Sequence, residues 1–528
     1  TNVSNTFNGS IEQNGVGKMN DIDGKVLESL KDLGVTHMWY TGVIEHATKT
    51  DYTQYGIQSS NPHVVKGNAG SPYAIRDYYD IDPDIAVDVP NRIHEFENLD
   101  FVPNHVAREY HSDAKPSGVE DLGATDDKGM FFSPSNNFFY ITGKEFAPNV
   151  DLGQGNDRYV EFPAKATGND CYNEHPGVND WYETVKLNYG VDPWNGCHHF
   201  SPIPSTWQKM CDILLYWASK GVDGFRCDMA HMVPVDFWHW AIAKVKEAYP
   251  SVVFIAELYD VGIYHNYIHY GGFDYLYDKV NLYDRLCEIV KYGSPASALT
   301  ECWQRVDGLQ GHMLNFLENH DELRVASPQL FGSAEKAFPA LLVSATMSTS
   351  PFMVYQGQEL GENAAGAMGF SGDDGRTSIF DYCSIPTLVR WYNNGNCGIQ
   401  KLNNKERKIR AFYKKVLRLC NGEKAISEGA FFDLMYVNYH NLNPNKQYLY
   451  LRHYENETLL IAVNFDSQDA TVYADIPQHA FDFLKIDSGT YFMKELISGK
   501  QKTVEFSSNA KFELHIPAHN GVVWKIVK

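Results

Sequence analysis

The sequence predicts an α/β chain: an eight-stranded (β/α)8 TIM barrel with an excursion domain after its third strand and a C-terminal antiparallel β-sandwich. Three observations predict it. Apolar, β-forming runs near 36, 99, 222, 252, 273, 313 and 351 alternate mostly with amphipathic helical segments. Several of those runs end in charged residues, which is where barrel enzymes place their chemistry. From about 430 the pattern changes to short alternating strands divided by turn residues, as at 447–453, 459–464 and 521–526. The seven runs leave one barrel strand unseen. A doubly wound sheet is the competing fold, but no Gly-rich phosphate loop follows any strand.

Residues 1–20 read as loop. A helix follows, with Asp21 or Asp23 as its cap, an apolar face of Val26, Leu27, Leu30 and Leu33, and Gly34 at its end. Residues 35–41 read as a strand and 45–85 as loop. Pro90 opens a short helix over 91–97 that runs straight into the apolar stretch at 99–105. A parallel crossover needs about a dozen residues. A segment is therefore expected to be missing between Glu97 and Asp100, and a first strand is expected before Thr1. Residues 106–200 are irregular and rich in Gly, Asn, Asp and Tyr. Trp207, Met210, Ile213, Leu214 and Trp217 mark a helix ahead of the strand at 221–228. Helices at 234–249, 280–292, 335–346 and 404–420 space the remaining strands. The division expected is a catalytic barrel over 1–105 and 201–425, an excursion domain over 106–200, and a β-sandwich over 426–528.

A formal net charge of −21 argues against a nucleic-acid or acidic-membrane partner and favours an uncharged substrate. Aromatic residues make up 14% of the chain, as large cores or sugar-stacking rings would require. The nine cysteines are an odd number without a CxxC pair, so neither a zinc site nor a complete disulfide framework is implied. No stretch of 18 apolar residues exists to span a membrane.

The strand at 221–228 ends Phe225-Arg226-Cys227-Asp228. Alternation puts Arg226 and Asp228 on one side, where the guanidinium holds the carboxylate ionised and oriented. A structural ion pair and a poised nucleophile are both consistent with that pair alone. Other strand ends supply Asp100, Asn104 and His105, then Glu257, then Asn319, His320 and Asp321, and His231 lies just beyond Asp228. Carboxylates gathered from different strands at one barrel mouth, with histidines beside them, are hard to explain as packing. Such a set suits a glycosidic bond, with one nucleophile, one acid/base and one hydroxyl-binding support. A metal-assisted hydrolase reading finds no HExxH motif.

These motifs, in this order, resemble the α-amylase family of glycoside hydrolases (family 13). The residues that carry the resemblance are Asp100-Phe-Val-Pro-Asn104-His105, Gly224-Phe-Arg226-Cys-Asp228, Ala256-Glu257 and Asn319-His320-Asp321, with Lys186-Leu-Asn188-Tyr similar to a short fifth motif. Gly271-Gly-Phe-Asp-Tyr-Leu-Tyr-Asp278 and Asp374-Gly-Arg-Thr look like bacterial α-amylases and cyclomaltodextrinase-like starch-utilisation enzymes. The resemblance implies Asp228 as nucleophile, Glu257 as general acid/base and Asp321 as transition-state stabiliser. It implies Arg226 as the residue orienting the nucleophile, His105 and His320 as sugar hydrogen-bonders, and Tyr73 as the stacking ring. His231 and Met232 stand where many members carry Lys-His, a departure that bears on the aglycone subsite.

The activity implied is retaining cleavage of α-1,4-glucosidic bonds in starch or maltodextrins. A transglycosylase or cyclomaltodextrinase/neopullulanase-type enzyme on the same scaffold is the alternative, and a non-catalytic glucan-binding protein a third reading. No organic cofactor is implied. Family members often bind calcium through the asparagine at Asn104, which otherwise ties a loop by hydrogen bonds; both roles stand open here. A carbohydrate substrate favours the periplasm, cell surface or exterior, while the unpaired cysteines favour a reducing compartment.

Overall fold

The structure is a computed structural model that describes residues 15–95, 99–366, 369–508 and 510–528. The chain divides into two compact units, 1–23 with 37–276 and 378–384, and 24–36 with 277–377 and 385–528.

In the first unit, β1 (Ile44–His46) pairs antiparallel with β2 (Ile75–Ile81), and β3 (Leu99–Phe101) begins a parallel ladder. The excursion holds β4 (His105–Ala107), β5 (Tyr140–Ile141), β6 (Ala164–Lys165) and β7 (Thr184–Lys186), paired β4 with β7 and β5 with β6. The ladder resumes with β8 (Gly224–Cys227), β9 (Val253–Ala256) and β10 (Tyr275–Tyr277), in the order β3, β8, β9, β10. The helix Ser205–Ser219 leads into β8 and buries Trp207, Met210, Cys211, Ile213, Leu214 and Trp217. The helix Val235–Ala248 joins β8 to β9 and buries Phe237, Trp238, Ala241, Ile242 and Val245. These apolar stripes at helical spacing are what hold each crossover to the sheet.

In the second unit, β11 (Met313–Phe316) runs parallel to β12 (Phe352–Met353), and the helix Phe338–Thr346 between them is buried on every side. The helix Asn404–Gly422 starts from a capping box in which Asn403 and Glu406 satisfy each other's backbone amides. It packs on the helix Gly24–Leu33, and Gly34 closes the latter at φ +115°, where an added Cβ would lie 2.8 Å from Leu417 Cβ. The C-terminal strands are β13 (Ala430–Asp433), β14 (Gln447–Tyr454), β15 (Glu457–Asn464), β16 (Ala470–Asp475), β17 (Gly489–Glu495), β18 (Gln501–Phe506), β19 (Lys511–Ile516) and β20 (Asn520–Val527). They form an antiparallel sheet ordered β13-β14-β15-β20-β17-β18 and a separate β16-β19 pair. The fold class is a (β/α)8 barrel with extra domains, of which six parallel-paired strands are assigned among the described residues.

Three sequence expectations change. Residues 35–40 carry no strand assignment, because a strand is defined by its pairing and β-forming composition alone does not supply that. The stretch 45–85 contains β2, whose Arg76, Asp77 and Asp80 are charged and yet buried, which hid its strand character. The helix expected over 280–292 is present, but only Asp284–Cys287 is α-helical, and Lys279–Tyr283 and Glu288–Tyr292 on either side are π-helical. The discontinuity expected after Glu97 falls on residues 96–98, which lie outside the described residues.

β1 and β2 enclose a carboxylate cluster. Glu45 faces Asp77 across the ladder, and ligand-competent oxygens of Glu45, Asp77 and Asp80 all lie within 4.8 Å of one another. Burial first, then the charges of Asp77, Asp80 and Asp82, push the Glu45 carboxyl up to about 9. An unfolded glutamate ionises near 4.5, so this site's contribution to stability is full below that value and is lost as pH rises towards 9. Glu45→Gln, neutral at every pH, is expected to melt at a higher temperature than the parent at pH 8, the two converging near pH 4. Parallel thermal profiles over that range would refute the assignment.

Candidate active site

In the first unit the site is built around one guanidinium. Arg226 on β8 places Nη1 2.7 Å from Asp228 Oδ1 and 3.7 Å from Asp100 Oδ1 on the neighbouring β3. Its Nη2 lies 2.7 Å from Glu257 Oε1, just past the end of β9. The parallel register explains the meeting, since Asp100 and Ile255 flank Arg226 in the ladder and the strand ends align. All four charged side chains are buried. Arginine stays charged in such surroundings and its planar fork reaches two carboxylates at fixed angles, so Asp228 and Glu257 are positioned together. The rings of Trp39 and Tyr73 each stand 5.4 Å from the Arg226 Cζ.

Glu257 is fixed from two further directions. The Met229 amide donates to its Oε2 at 2.8 Å and the Tyr259 hydroxyl to its Oε1. Met229 reaches this position at φ 44°, ψ 44°, a left-handed backbone that a side-chain-bearing residue seldom adopts. Sequence reasoning missed both groups. The Tyr259 signal was present, two residues beyond the carboxylate; the Met229 turn leaves no trace in residue type.

His105 opens β4 and is buried, with its ring 5.3 Å from that of Trp181. Burial first, then the charge of Lys186 against an opposing pull from Glu257, pushes its imidazolium down to about 3. It is therefore a neutral donor and acceptor at working pH. His231 lies on the turn Ala230–Met232, 6.0 Å ring to ring from Tyr259, and burial lowers its pKa too.

Asn104 does not fit the calcium expectation. Its Oδ1 already accepts from the Lys186 ammonium, which also lies 2.9 Å from Asp170 Oδ1 and 3.3 Å from the Met232 carbonyl. A calcium ion needs six to eight oxygens without a cation among them.

The second unit holds the remaining predicted residues beyond β11. Asn319 Oδ1 accepts from the amides of Asp321 and Glu322, both at 2.9 Å, and His320 Nε2 lies 3.0 Å from Asp321 Oδ2. Arg376 Nε donates to the Asp321 carbonyl at 2.7 Å. Asp321 keeps 38% side-chain exposure where His320 keeps 5%, so the carboxylate is the accessible member of the pair. Beneath them, Glu318 and Arg324 form a fully buried ion pair at 3.0 Å, and burial pushes Glu318 up to about 7 despite its partner.

Residues 201–379 match the family model described as alpha amylase, catalytic domain. The chain is 33% identical over 94 residues to an alpha-1,4-glucan:maltose-1-phosphate maltosyltransferase of Pseudomonas aeruginosa, covering 16% of this chain and 14% of that protein. A protein of the same name from Rhodospirillum rubrum is 31% identical over 216 residues, covering 37% and 29%. The matches thus span less than a third of these relatives' lengths. Among solved structures, an alpha-amylase from H. orenii superposes with a TM-score of 0.62 at 19% identity, covering 99% of this chain and 98% of that one. A noncanonic maltogenic alpha-amylase from Thermotoga neapolitana gives 0.61 at 21%, covering 96% and 93%. At these identities the structural likeness carries the fold.

The depressed pKa of His105 has a measurable consequence. Unfolded histidine binds a proton near 6.5 and the folded His105 only near 3, so its contribution to stability is full above 6.5 and is lost as pH falls through that window. The urea midpoint of the parent is expected to drop more between pH 7 and pH 4 than that of His105→Gln. An equal drop would contradict a neutral, buried His105.

Proposed function

We propose that the chain, whose residues 201–379 match the alpha-amylase catalytic-domain model, is a glycoside hydrolase of the alpha-amylase family (family 13) that cleaves α-1,4-glucosidic bonds of starch or maltodextrins with retention of configuration. Asp228 attacks the anomeric carbon while Glu257 protonates the departing glycosidic oxygen. Glu257 then takes a proton from the incoming water, which releases the sugar from Asp228. Asp321 binds ring hydroxyls and stabilises the oxocarbenium-like transition state. The resemblance gives His105 and His320 as sugar hydrogen-bonders and Tyr73 as the stacking ring.

The observation that carries this reading is the shared guanidinium. Arg226 reaches Asp228 and Glu257 at 2.7 Å each. A retaining pair sits about 5–5.5 Å apart, leaving no room for a water between acid and nucleophile. Two carboxylates braced on one planar fork suit that spacing.

A second reading, glycosyl transfer, is favoured by the maltosyltransferase relatives. It uses the same first step and replaces water with a sugar hydroxyl. A digest of maltoheptaose followed by anomeric proton NMR and product sizing separates the two. Shorter products, α-anomeric at first, are the expected outcome. Products longer than the substrate, or phosphate release when maltose 1-phosphate is the donor, would establish transfer instead. Asp228→Asn and Glu257→Gln are each expected to lower kcat about 10³-fold or more under either reading, and undiminished turnover would remove them from the mechanism.

A further inference from the structure

Lys186 lies on β7, opposite His105 in the ladder with β4, and its ammonium is buried among oxygens. Those oxygens are Asn104 Oδ1, Asp170 Oδ1 at 2.9 Å and the Met232 carbonyl at 3.3 Å. They come from the end of the β3 segment, from the excursion and from the turn after Asp228. One side-chain cation thus gathers three segments that flank the site.

The ammonium also dictates which way Asn104 faces. Lysine donates only, so the atom facing it must be the amide oxygen. The Asn104 Nδ2 is then committed to the other side, where it donates to the Gly168 carbonyl at 2.7 Å and to His105 Nδ1 at 3.1 Å. An imidazole nitrogen that accepts carries no proton, so in neutral His105 the proton is on Nε2. The packing leaves the ring little freedom to reorient. An added Cβ at Gly168 would lie 2.8 Å from His105 Cγ and 2.7 Å from Thr184 Oγ1, so the ring already touches backbone there.

We propose that Lys186 is a built-in cation that takes the place of a metal at Asn104 and, through the Asn104 amide, fixes His105 as the Nε2–H tautomer that donates to the substrate. Lys186 is thus a positioning residue: it touches no substrate and acts through two intervening hydrogen bonds. The donor role of His105 rests on the proposed function; the tautomer and the metal independence do not.

Nitrogen-15 NMR of histidine-labelled parent protein, with His105 identified as the resonance pair lost in His105→Gln, reads the tautomer directly. The expected result is a protonated Nε2 and an unprotonated Nδ1, unchanged after dialysis against EDTA, with no change in thermal midpoint. A proton on Nδ1 would overturn the relay. A calcium that raises the parent's midpoint, and whose effect disappears in Asn104→Ala, would overturn the metal replacement. Lys186→Met, which keeps the aliphatic stem, is expected to mix the two His105 tautomers and to lower kcat/KM about 10- to 100-fold, the range seen when groups that orient an active-site ligand are removed. Lys186→Arg, which retains the charge, is expected to recover part of both. An unaltered His105 spectrum in a folded Lys186→Met would refute the positioning role. The spectra and midpoints need no turnover, so they stand apart from any failure of the proposed activity.

Discussion

The first unit depends on a single constraint: buried carboxylates brought together by strand register need a cation that cannot lose its charge. Asp100, Asp228 and Glu257 reach the C-terminal ends of three adjacent parallel strands, and Arg226 meets them there. Carboxylates buried this way without a cation would take up protons instead of staying ionised. A lysine could shed its proton under the same burial, and its point charge would not orient two partners. The guanidinium does both, and its fixed fork converts an electrostatic necessity into geometry. The Trp39 and Tyr73 rings beside it and the Met229 and Tyr259 donors on Glu257 complete the frame.

Much of this was legible in the sequence. The alternation rule alone put Arg226 and Asp228 on one side, and they are hydrogen-bonded at 2.7 Å. The helices flanking β8 follow their apolar spacing to within a residue or two. The errors have a common physical origin. Residues 35–40 are β-formers without strand assignment, while β2 is a strand rich in buried charge. In both places tertiary pairing overrode residue type, because a β-strand is stabilised by neighbours that lie far away in sequence. The same is true of the site's finer parts. Nothing in the residue type of Met229 announces a left-handed backbone, and nothing local to Lys186 says that its ammonium lies on an asparagine 82 positions earlier.

The calcium expectation shows how a motif and a structure can part. Asn104 sits where the resemblance put it, yet its oxygen faces an ammonium. A lysine reaching from β7 meets the electrostatic demand of the same oxygens with one charge and a covalent tether. A tethered cation loses no translational freedom when it enters its site, and it cannot be chelated away. It does suffer desolvation, and burial accordingly lowers the Lys186 pKa while Asp170 pulls it back up.

Hydrolysis and transfer would use the same nucleophile and acid/base, so the choice between them lies with whatever shapes the acceptor side. There the chain departs from its resemblance, with His231 and Met232 on the turn that follows Asp228. That turn is not an independent loop. Met229 holds Glu257 through its amide, Ala230 donates to the Glu257 carbonyl at 3.0 Å, and the Met232 carbonyl lies on Lys186. A substitution that moved the turn would therefore also move Glu257, the proposed acid/base, and disturb the support of His105. Under the proposed function, acid/base positioning and acceptor preference would be mechanically coupled through one short segment. Altering acceptor choice with the least loss of rate calls for side chains that project from the turn, such as His231, and leaves its backbone contacts in place.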